Sequence, residues 1–107
     1  MGRQKPYELI YDVEVQKHVA KIPRKYHSLI REEIKDQLRY EPEKETRNRK
    51  PLEHPSVLGS AWELRLGPDN RFRVFYKVDQ EAHAVHILAV GVKEKDELII
   101  GREVFKL

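Results

Sequence analysis

The sequence predicts an α+β domain in which a small twisted antiparallel sheet carries an N-terminal helical hairpin on one face. Two alternating apolar and polar runs flank a cluster of turn formers at 67–70, which is typical of a β-hairpin. An apolar run at 83–92 suits a central strand. Two helical apolar patterns, at 13–22 and 24–40, precede the hairpin. With 107 residues, the chain is expected to form a single domain, 1–107.

The N-terminal part predicts a strand followed by two helices. Residues 7–11 are β-prone, and Asp12 provides an N-cap for the first helix, which ends at Pro23. The apolar stripe of this helix consists of Val15, Val19 and Ile22. The second helix has charged faces that we interpret as solvated, and Pro42 closes it. Its buried side is expected to hold Tyr26, Leu29, Ile30, Ile34 and Leu38. The two helices are therefore expected to cover one face of the sheet.

Residues 41–60 predict a long irregular connection, and a connection of this length in a small domain is often functional. Leu52 and Leu58 are expected to anchor it to the core. His54 stands among turn formers and is interpreted as an exposed histidine, in preference to a catalytic one.

The predicted hairpin sorts its side chains into two faces. The apolar rows are Trp62, Leu64 and Leu66 in the first strand and Phe72, Val74, Tyr76 and Val78 in the second. Burying both rows together brings the other residues to the opposite face, namely Glu63, Arg65, Arg71, Arg73 and Lys77. We name this opposite side the arginine face, after Arg65 and Arg73.

Two registers of the hairpin remain open at this stage. If Leu64 faces Phe72, Arg65 faces Arg71; if Leu64 faces Val74, Arg65 faces Arg73. Either register sets two arginines opposite each other, which is unfavourable unless an anion lies between them. The arginine face is therefore either a solvated face with a Glu–Arg pair or a phosphate site.

The strand after the hairpin is apolar on both sides. If Val78 pairs near Ala84 or His86, the even-numbered residues join the core and His86 lies on the helix side. Ala89, Gly91 and Lys93 then share the arginine face, which the two small residues are expected to leave concave. The segment 98–100 is interpreted as an edge strand.

Composition excludes several classes of function. The chain has no cysteine, which excludes disulfides and thiolate chemistry. It has no metal-ligand spacing, phosphate-binding glycine loop or Ser/His/Asp arrangement, so we expect no cofactor and no metal. We find no signal-peptide pattern and no apolar run of spanning length, and we expect a cytoplasmic protein without a membrane partner.

The charge of the chain is small in total but uneven in its distribution. The net charge of +3 is too small to indicate nucleic-acid binding. Between residues 46 and 77, however, seven basic residues stand against three acidic ones. An asymmetry of this kind indicates an anionic partner on one side of the molecule.

Several segments together resemble the RelE/ParE superfamily of toxin–antitoxin toxins. They are Lys50-Pro51-Leu52, Trp62-Glu63-Leu64-Arg65, Arg71-Phe72-Arg73-Val74-Phe75-Tyr76 and Val90-Gly91-Val92-Lys93. The family pattern runs from a strand and a helical hairpin through a leucine-containing loop, W-x-L-R and Y/F-R-V-x-Y to a strand that ends in a basic residue. It extends over nearly the whole chain, residues 7–100.

The resemblance implies a β-α-α-β-β-β fold and, for the RelE branch, an endoribonuclease that cuts messenger RNA in the ribosomal A site and is neutralised by an antitoxin. By position, Arg65, Arg73 and Lys93 match the basic residues of the family, and Arg73 is expected to be exposed. Glu63 lies on the same face and acts either as the base or as an ion-pair partner of Arg73. Further basic residues are expected to bind RNA: Arg47, Arg49, Lys50, Arg71 and Lys77.

The sequence departs from the family pattern after Lys93. Many nuclease members carry a tyrosine or histidine a few residues later, whereas residues 95–99 contain neither. Three alternatives therefore remain open: a nuclease toxin, a ParE-like toxin that binds and inhibits DNA gyrase without chemistry of its own, and an inactive relative that binds an antitoxin.

Overall fold

The computed structural model describes residues 4–53 and 59–106, in which two α-helices pack on one face of a seven-stranded sheet. This architecture confirms the predicted α+β class. In chain order the elements are β1 (Glu8–Tyr11), α1 (Val13–Ala20), a 3-10 turn (Arg24–Tyr26), α2 (His27–Leu38), β2 (Arg49–Pro51), β3 (Trp62–Leu66), β4 (Phe72–Asp79), β5 (Ala84–Glu94), β6 (Glu97–Ile100) and β7 (Glu103–Lys106).

The long strand β5 organises the sheet. The strand order is β2-β3-β4-β5-β6-β7, with all of these neighbours antiparallel. β1 adds the one parallel pair of the described sheet, from Glu8 opposite Ala84 to Tyr11 opposite Ile87. β6 pairs with the other half of β5, from Gly91 onward. β5 can hold two neighbours in succession because it is 11 residues long.

The two helices form where the apolar patterns predict them, although both are shorter. The Asp12 carboxylate accepts a hydrogen bond from the backbone N–H of Glu14 at 3.0 Å and caps α1. The second helix begins as the 3-10 turn and becomes α-helical only at His27. Leu29 is 37% exposed, so its predicted burial is wrong. Ile30, Ile34 and Leu38, spaced at i+4, set the buried face of α2 instead.

The main core lies between the helices and the sheet. It joins Val15, Ile22 and α2 to the apolar rows of β3, β4 and β5. Tyr76 is fully buried, and its hydroxyl donates to the carbonyl of Pro42 at 2.7 Å. This burial raises the pKa of the Tyr76 phenol. The bond ties the segment after α2 to the centre of the sheet. Neither helix in the described residues is long and apolar enough to cross a membrane.

A β-bulge in β5 changes which residues reach the core. Phe75 faces Ala89 and Tyr76 faces Ile87, so Leu88 has no partner in β4. Even-numbered residues join the core only after the bulge, as Val90 does. Before the bulge the odd-numbered residues of β5 join the core. The even-numbered His86 therefore faces Lys77 on the arginine face. The predicted position of His86 on the helix side is therefore wrong.

A second apolar cluster covers part of the arginine face. It consists of Phe75, Ala89, Leu98 and Ile100, with Leu52 and Phe105 packed against them. A Cβ added at Gly91 would lie 3.0 Å from side-chain carbons of both Leu98 and Ile100. The expected concavity at Gly91 is therefore filled.

The C-terminal strands provide most of this cover. β6 pairs with β5 on one side and with β7 on the other, so the prediction that 98–100 forms an edge strand is wrong. Within the described sheet β7 is the edge on this side, and β2 is the edge on the other. Leu52 anchors its segment to the second cluster, whereas His54 and Leu58 lie outside the described residues.

His18 of α1 fills a gap along one edge of β5. β1 ends opposite Ile87, and β6 ends with Ile100 opposite Gly91, so residues 88–90 have no neighbouring strand there. His18 Nδ1 accepts a hydrogen bond from the Val90 N–H at 3.3 Å. The turn between β6 and β7 lies against the ring, since a Cβ at Gly101 would be 3.2 Å from the ring carbon Cδ2.

This packing sets the charge state of His18. Burial lowers its pKa below 6.5, although the carboxylates of Glu14, Asp12 and Glu103 act in the opposite direction. Cationic groups also line the adjoining cavity of about 760 Å³, namely Lys17, Lys21 and Arg102. A proton on Nδ1 would face the Val90 N–H, so protonation removes the bond that fills the edge.

We expect the free energy of unfolding of His18→Asn to fall less at acid pH than that of the wild type. Asparagine offers an acceptor near the Nδ1 position and does not titrate. A histidine whose pKa is lowered by folding contributes stability that is complete above 6.5 and is lost as the pH falls through its folded value. Urea denaturation between about pH 8 and about pH 5 measures this. His86→Asn on the opposite face is the control and should follow the wild type. Parallel profiles for wild type and His18→Asn would contradict the assignment.

Candidate anion-binding site

The turn between β3 and β4 fixes how the arginine face is built. Leu64 faces Val74 and Arg65 faces Arg73, which is the second of the two predicted registers. The turn needs backbone in the left-handed region at Gly67, Asp69 and Asn70, with φ of +82°, +55° and +53°. Gly67 has a further constraint, since a Cβ there would lie 2.4 Å from Phe72 Cδ2. The turn and the core contact of Phe72 together set Arg65 opposite Arg73.

One carboxylate oxygen holds both arginines. Glu63 Oε1 accepts a hydrogen bond from Arg65 Nε at 2.7 Å and from Arg73 Nη1 at 3.2 Å. Only 13% of the Glu63 side chain is exposed. The like charges that face each other across the hairpin are thus partly compensated by one carboxylate on the same face.

Arg73 is buried, which corrects the expectation of an exposed side chain. Its side chain is 11% exposed, and its Nε donates to the carbonyl of Asn70 at 3.0 Å. Burial lowers the pKa of Arg73, and the nearby Arg65 lowers it further, whereas the Glu63 carboxylate opposes both effects. An arginine remains charged at neutral pH despite such a shift. Arg73 is therefore a cation fixed in place by two hydrogen bonds.

The other cations of the arginine face are more exposed. Arg65 is 40% exposed, so much of its guanidinium faces solvent. Lys50 faces Glu63 across β2 and β3 and forms an ion pair with Glu45 at 3.5 Å. Lys93 lies diagonally from Arg73, because Arg73 faces Gly91. Lys93 forms no ion pair within the described residues.

The structure does not bring every predicted RNA-binding residue to this face. Arg49 faces Leu64 on the helix side and is 8% exposed. Its guanidinium donates to the carbonyls of Lys44 and Gln37. Burial with two carbonyl partners gives Arg49 a structural role and removes it from the candidate site.

Arg71 also departs from the arginine face. It has helical backbone angles at the end of the turn, outside β4, so strand alternation does not apply to it. Its guanidinium pairs with Glu94 at 3.4 Å and lines a cleft beside Ile22 and Pro23 on the helix side. Of the remaining predicted residues, Lys77 is exposed on the arginine face beyond the bulge, and Arg47 is exposed before β2.

Two asparagines of the site have no counterpart among the predicted residues. Asn48 Nδ2 donates to the carbonyl of Arg65, and Asn70 supplies the carbonyl that Arg73 binds. Asn70 lies in a cluster of turn formers, which signals a turn but not a role. Asn48 lies between basic residues of an irregular segment, and no pattern in the sequence distinguishes it.

The arrangement suits an anion that binds both arginines at once, such as a phosphodiester. The guanidinium groups of Arg65 and Arg73 can each present N–H donors to phosphate oxygens. Only one of the two is nearly buried, and its position is fixed before any ligand arrives. Within the described part of the chain, no group of three or more histidine or acidic residues is placed to hold a metal ion.

Comparison with known proteins supports the fold. No protein-family model and no curated protein matches the sequence. Among solved structures, the chain is similar to one chain of the crystal structure of the toxin–antitoxin complex RelBE2 from Mycobacterium tuberculosis. The TM-score is 0.64 at 23% sequence identity, and the match covers 87% of this chain and 98% of that one. At this identity the likeness concerns the fold, so the chain has a RelE-like fold, as the sequence resemblance implies.

Proposed function

We propose that the protein is the toxin of a type II toxin–antitoxin system and that it cleaves messenger RNA on the ribosome. The observation that carries the proposal is the arginine pair, in which Arg65 and Arg73 face each other and share Glu63 Oε1. The RelE-like fold, which this chain shares with a chain of a toxin–antitoxin complex, supports the toxin assignment.

Cleavage in this proposal begins with attack of a ribose 2′-hydroxyl on the adjacent phosphate. The bond from O2′ to phosphorus forms, the bond from phosphorus to O5′ breaks, and the products are a 2′,3′-cyclic phosphate and a 5′-hydroxyl. The 2′-hydroxyl loses its proton to a base, and the O5′ leaving group gains one from an acid. Negative charge on the phosphorane oxygens rises in the transition state, and cations fixed around it lower the barrier.

The residues of the arginine face divide these tasks. Arg73 is the preorganised donor to the phosphorane, because its position does not depend on the ligand. Arg65, which is more exposed, binds the phosphate as it enters, and Lys93 adds a third positive charge from β5. Glu63 binds both arginines through Oε1, and within the described residues its Oε2 accepts no hydrogen bond and is available to take the 2′-hydroxyl proton.

A second candidate is a toxin that binds DNA gyrase without cleaving RNA. Two observations favour it. The ion pairs of Glu63 with both arginines are complete without a ligand, so they also fit a purely structural role. The chain from Glu94 to Leu107 contains no tyrosine or histidine to serve as an acid beside Lys93.

The two candidates differ in what Arg73 contributes. We expect Arg73→Lys to slow messenger RNA cleavage on the order of a hundredfold, because lysine keeps the charge but loses the donor geometry of the guanidinium. The measurement is transcript cleavage by wild type and variant in a cell-free translation reaction, with circular dichroism to verify folding. Arg71→Ala is the matched control, since Arg71 pairs with Glu94 on the helix side. Its cleavage rate should equal that of the wild type.

The contrary results identify the alternatives. Intact transcripts in the presence of a wild-type protein that arrests growth would exclude the nuclease, and loss of DNA supercoiling under the same conditions would establish the gyrase toxin. Equal losses in Arg73→Lys and Arg71→Ala would show that cleavage does not depend specifically on the arginine pair.

The proposed partner is an acidic antitoxin that covers the arginine face. Five cations of the described residues, Lys50, Arg65, Arg73, Lys77 and Lys93, lie on this face or at its border, and Glu63 compensates only part of their charge. We expect the affinity for the product of the neighbouring gene to fall as salt rises, because exposed charges are screened. Titration calorimetry at low and high salt measures this. An affinity that does not change with salt would contradict an electrostatic contact. The absence of a complex at every salt concentration would exclude this antitoxin as the partner.

A further inference from the structure

We propose that Asn48 is a positioning residue for the arginine pair. Its side chain joins the backbone of Arg65 to the turn whose carbonyl holds Arg73. The inference rests on the proposed function in one respect only, namely that the arginine pair is the phosphate site. The brace itself is a property of the unliganded protein and can be tested separately.

Asn48 binds Arg65 through both backbone polar groups of that arginine. The Arg65 N–H donates to the Asn48 carbonyl at 2.7 Å. The Asn48 Nδ2 donates to the Arg65 carbonyl at 2.8 Å. Asn48 comes directly before β2, so these two bonds extend the pairing of β2 with β3 by one residue. In this pair the side-chain Nδ2 of Asn48 makes the donation that the backbone N–H of a strand residue would make. The backbone of Arg65 is therefore held on the side away from β4.

The same amide nitrogen reaches the turn. Asn48 Nδ2 lies 3.4 Å from Asn70 Oδ1, and the carbonyl of Asn70 accepts the Arg73 Nε–H at 3.0 Å. Asn70 has left-handed backbone with φ of +53°, so its carbonyl direction depends on the turn being held in this strained form. One side chain thus contacts the residue that carries one arginine and the residue that fixes the other.

The chemistry of the contacts calls for asparagine at position 48. The Nδ2 group has two hydrogens, which suits two acceptors, Arg65 O and Asn70 Oδ1. Aspartate has the same shape but no side-chain N–H, and alanine has no polar side-chain group at all. The backbone of Asn48 is held separately, because its N–H donates to Thr46 Oγ1 at 3.2 Å. A substitution at Asn48 therefore removes the side-chain brace while the local turn keeps its own bond.

A purely structural link would have a different consequence. If Asn48 only stabilised the connection before β2, its removal would lower the stability of the fold without changing the Arg73 guanidinium in the folded protein. A positioning residue must change the state of that guanidinium at constant folding. The decisive readout is therefore the exchange of the Arg73 Nε–H proton with water, which depends on its bond to the Asn70 carbonyl.

The experiment uses the full chain labelled with ¹⁵N, and the Arg73 Nε–H signal is assigned by its loss in Arg73→Lys. We expect this proton to exchange roughly three- to tenfold faster in Asn48→Ala than in the wild type, which is the equilibrium change that one net hydrogen bond corresponds to. Asn48→Asp should behave as Asn48→Ala, because it keeps the shape and loses the donors. Ile34→Val, a core change on α2 remote from the site, controls for lower stability and should leave the exchange rate unchanged.

Two results would overturn the proposal: wild-type exchange in Asn48→Ala, or an equal acceleration in Ile34→Val. Titration with inorganic phosphate separates the brace from the proposed function. Phosphate should shift the Arg65 and Arg73 signals of the wild type and should bind more weakly to Asn48→Ala. If phosphate shifts neither signal while Asn48→Ala still exchanges faster, the positioning role of Asn48 stands and the phosphate site fails.

Discussion

Glu63 Oε1 binds two guanidinium groups at once, and the arginine face depends on this contact. The core requires the apolar rows of β3 and β4 to lie together, and the period of a strand then forces Glu63, Arg65 and Arg73 onto the other side. Two arginines directly opposite each other repel, and Arg73 is also nearly buried. A charge in that position needs a partner, since an uncompensated buried charge is strongly destabilising. Glu63 is the acid that the structure places there.

The same contact is compatible with the proposed anion site in a stable fold. Glu63 lowers the repulsion between the arginines, but one carboxylate cannot cancel two guanidinium groups and the nearby lysines. The face keeps a positive excess that an anionic ligand can compensate. The C-terminal strands contribute by packing Leu98 and Ile100 over Gly91, which leaves the charged part of the face to β2, β3, β4 and the end of β5. The proposed anion site is thus bordered by an apolar cluster.

Sequence reasoning predicted the fold class, the first strand, the two helices, the β3–β4 hairpin with Glu63, Arg65 and Arg73 on one face, and β5, because each depends on local periodicity. It missed β2, which forms inside the predicted irregular connection 41–60, and β7. It could not choose the hairpin register, which the turn geometry from Gly67 to Asn70 decides. It placed His86 on the wrong face because a bulge at Leu88 reverses the alternation of β5, and a single extra residue leaves no mark in an apolar run. Arg71 does not follow the side-chain alternation of β4 because it belongs to the turn. Asn48 and the burial of Arg49 and Arg73 depend on contacts between segments distant in sequence.

The most direct test of this account is the contribution of the Glu63 charge to stability. Glu63→Gln keeps the shape and one acceptor but leaves Arg73 buried without a counter-ion, and we expect the free energy of unfolding in urea to fall by about 2 kcal/mol. Glu94→Gln is the matched control, because the side chains of Glu94 and Arg71 are 51% and 49% exposed. A pair of this kind contributes about 0–1 kcal/mol. Equal effects of the two substitutions, or no loss in Glu63→Gln, would contradict the claim that Glu63 holds the arginine pair together.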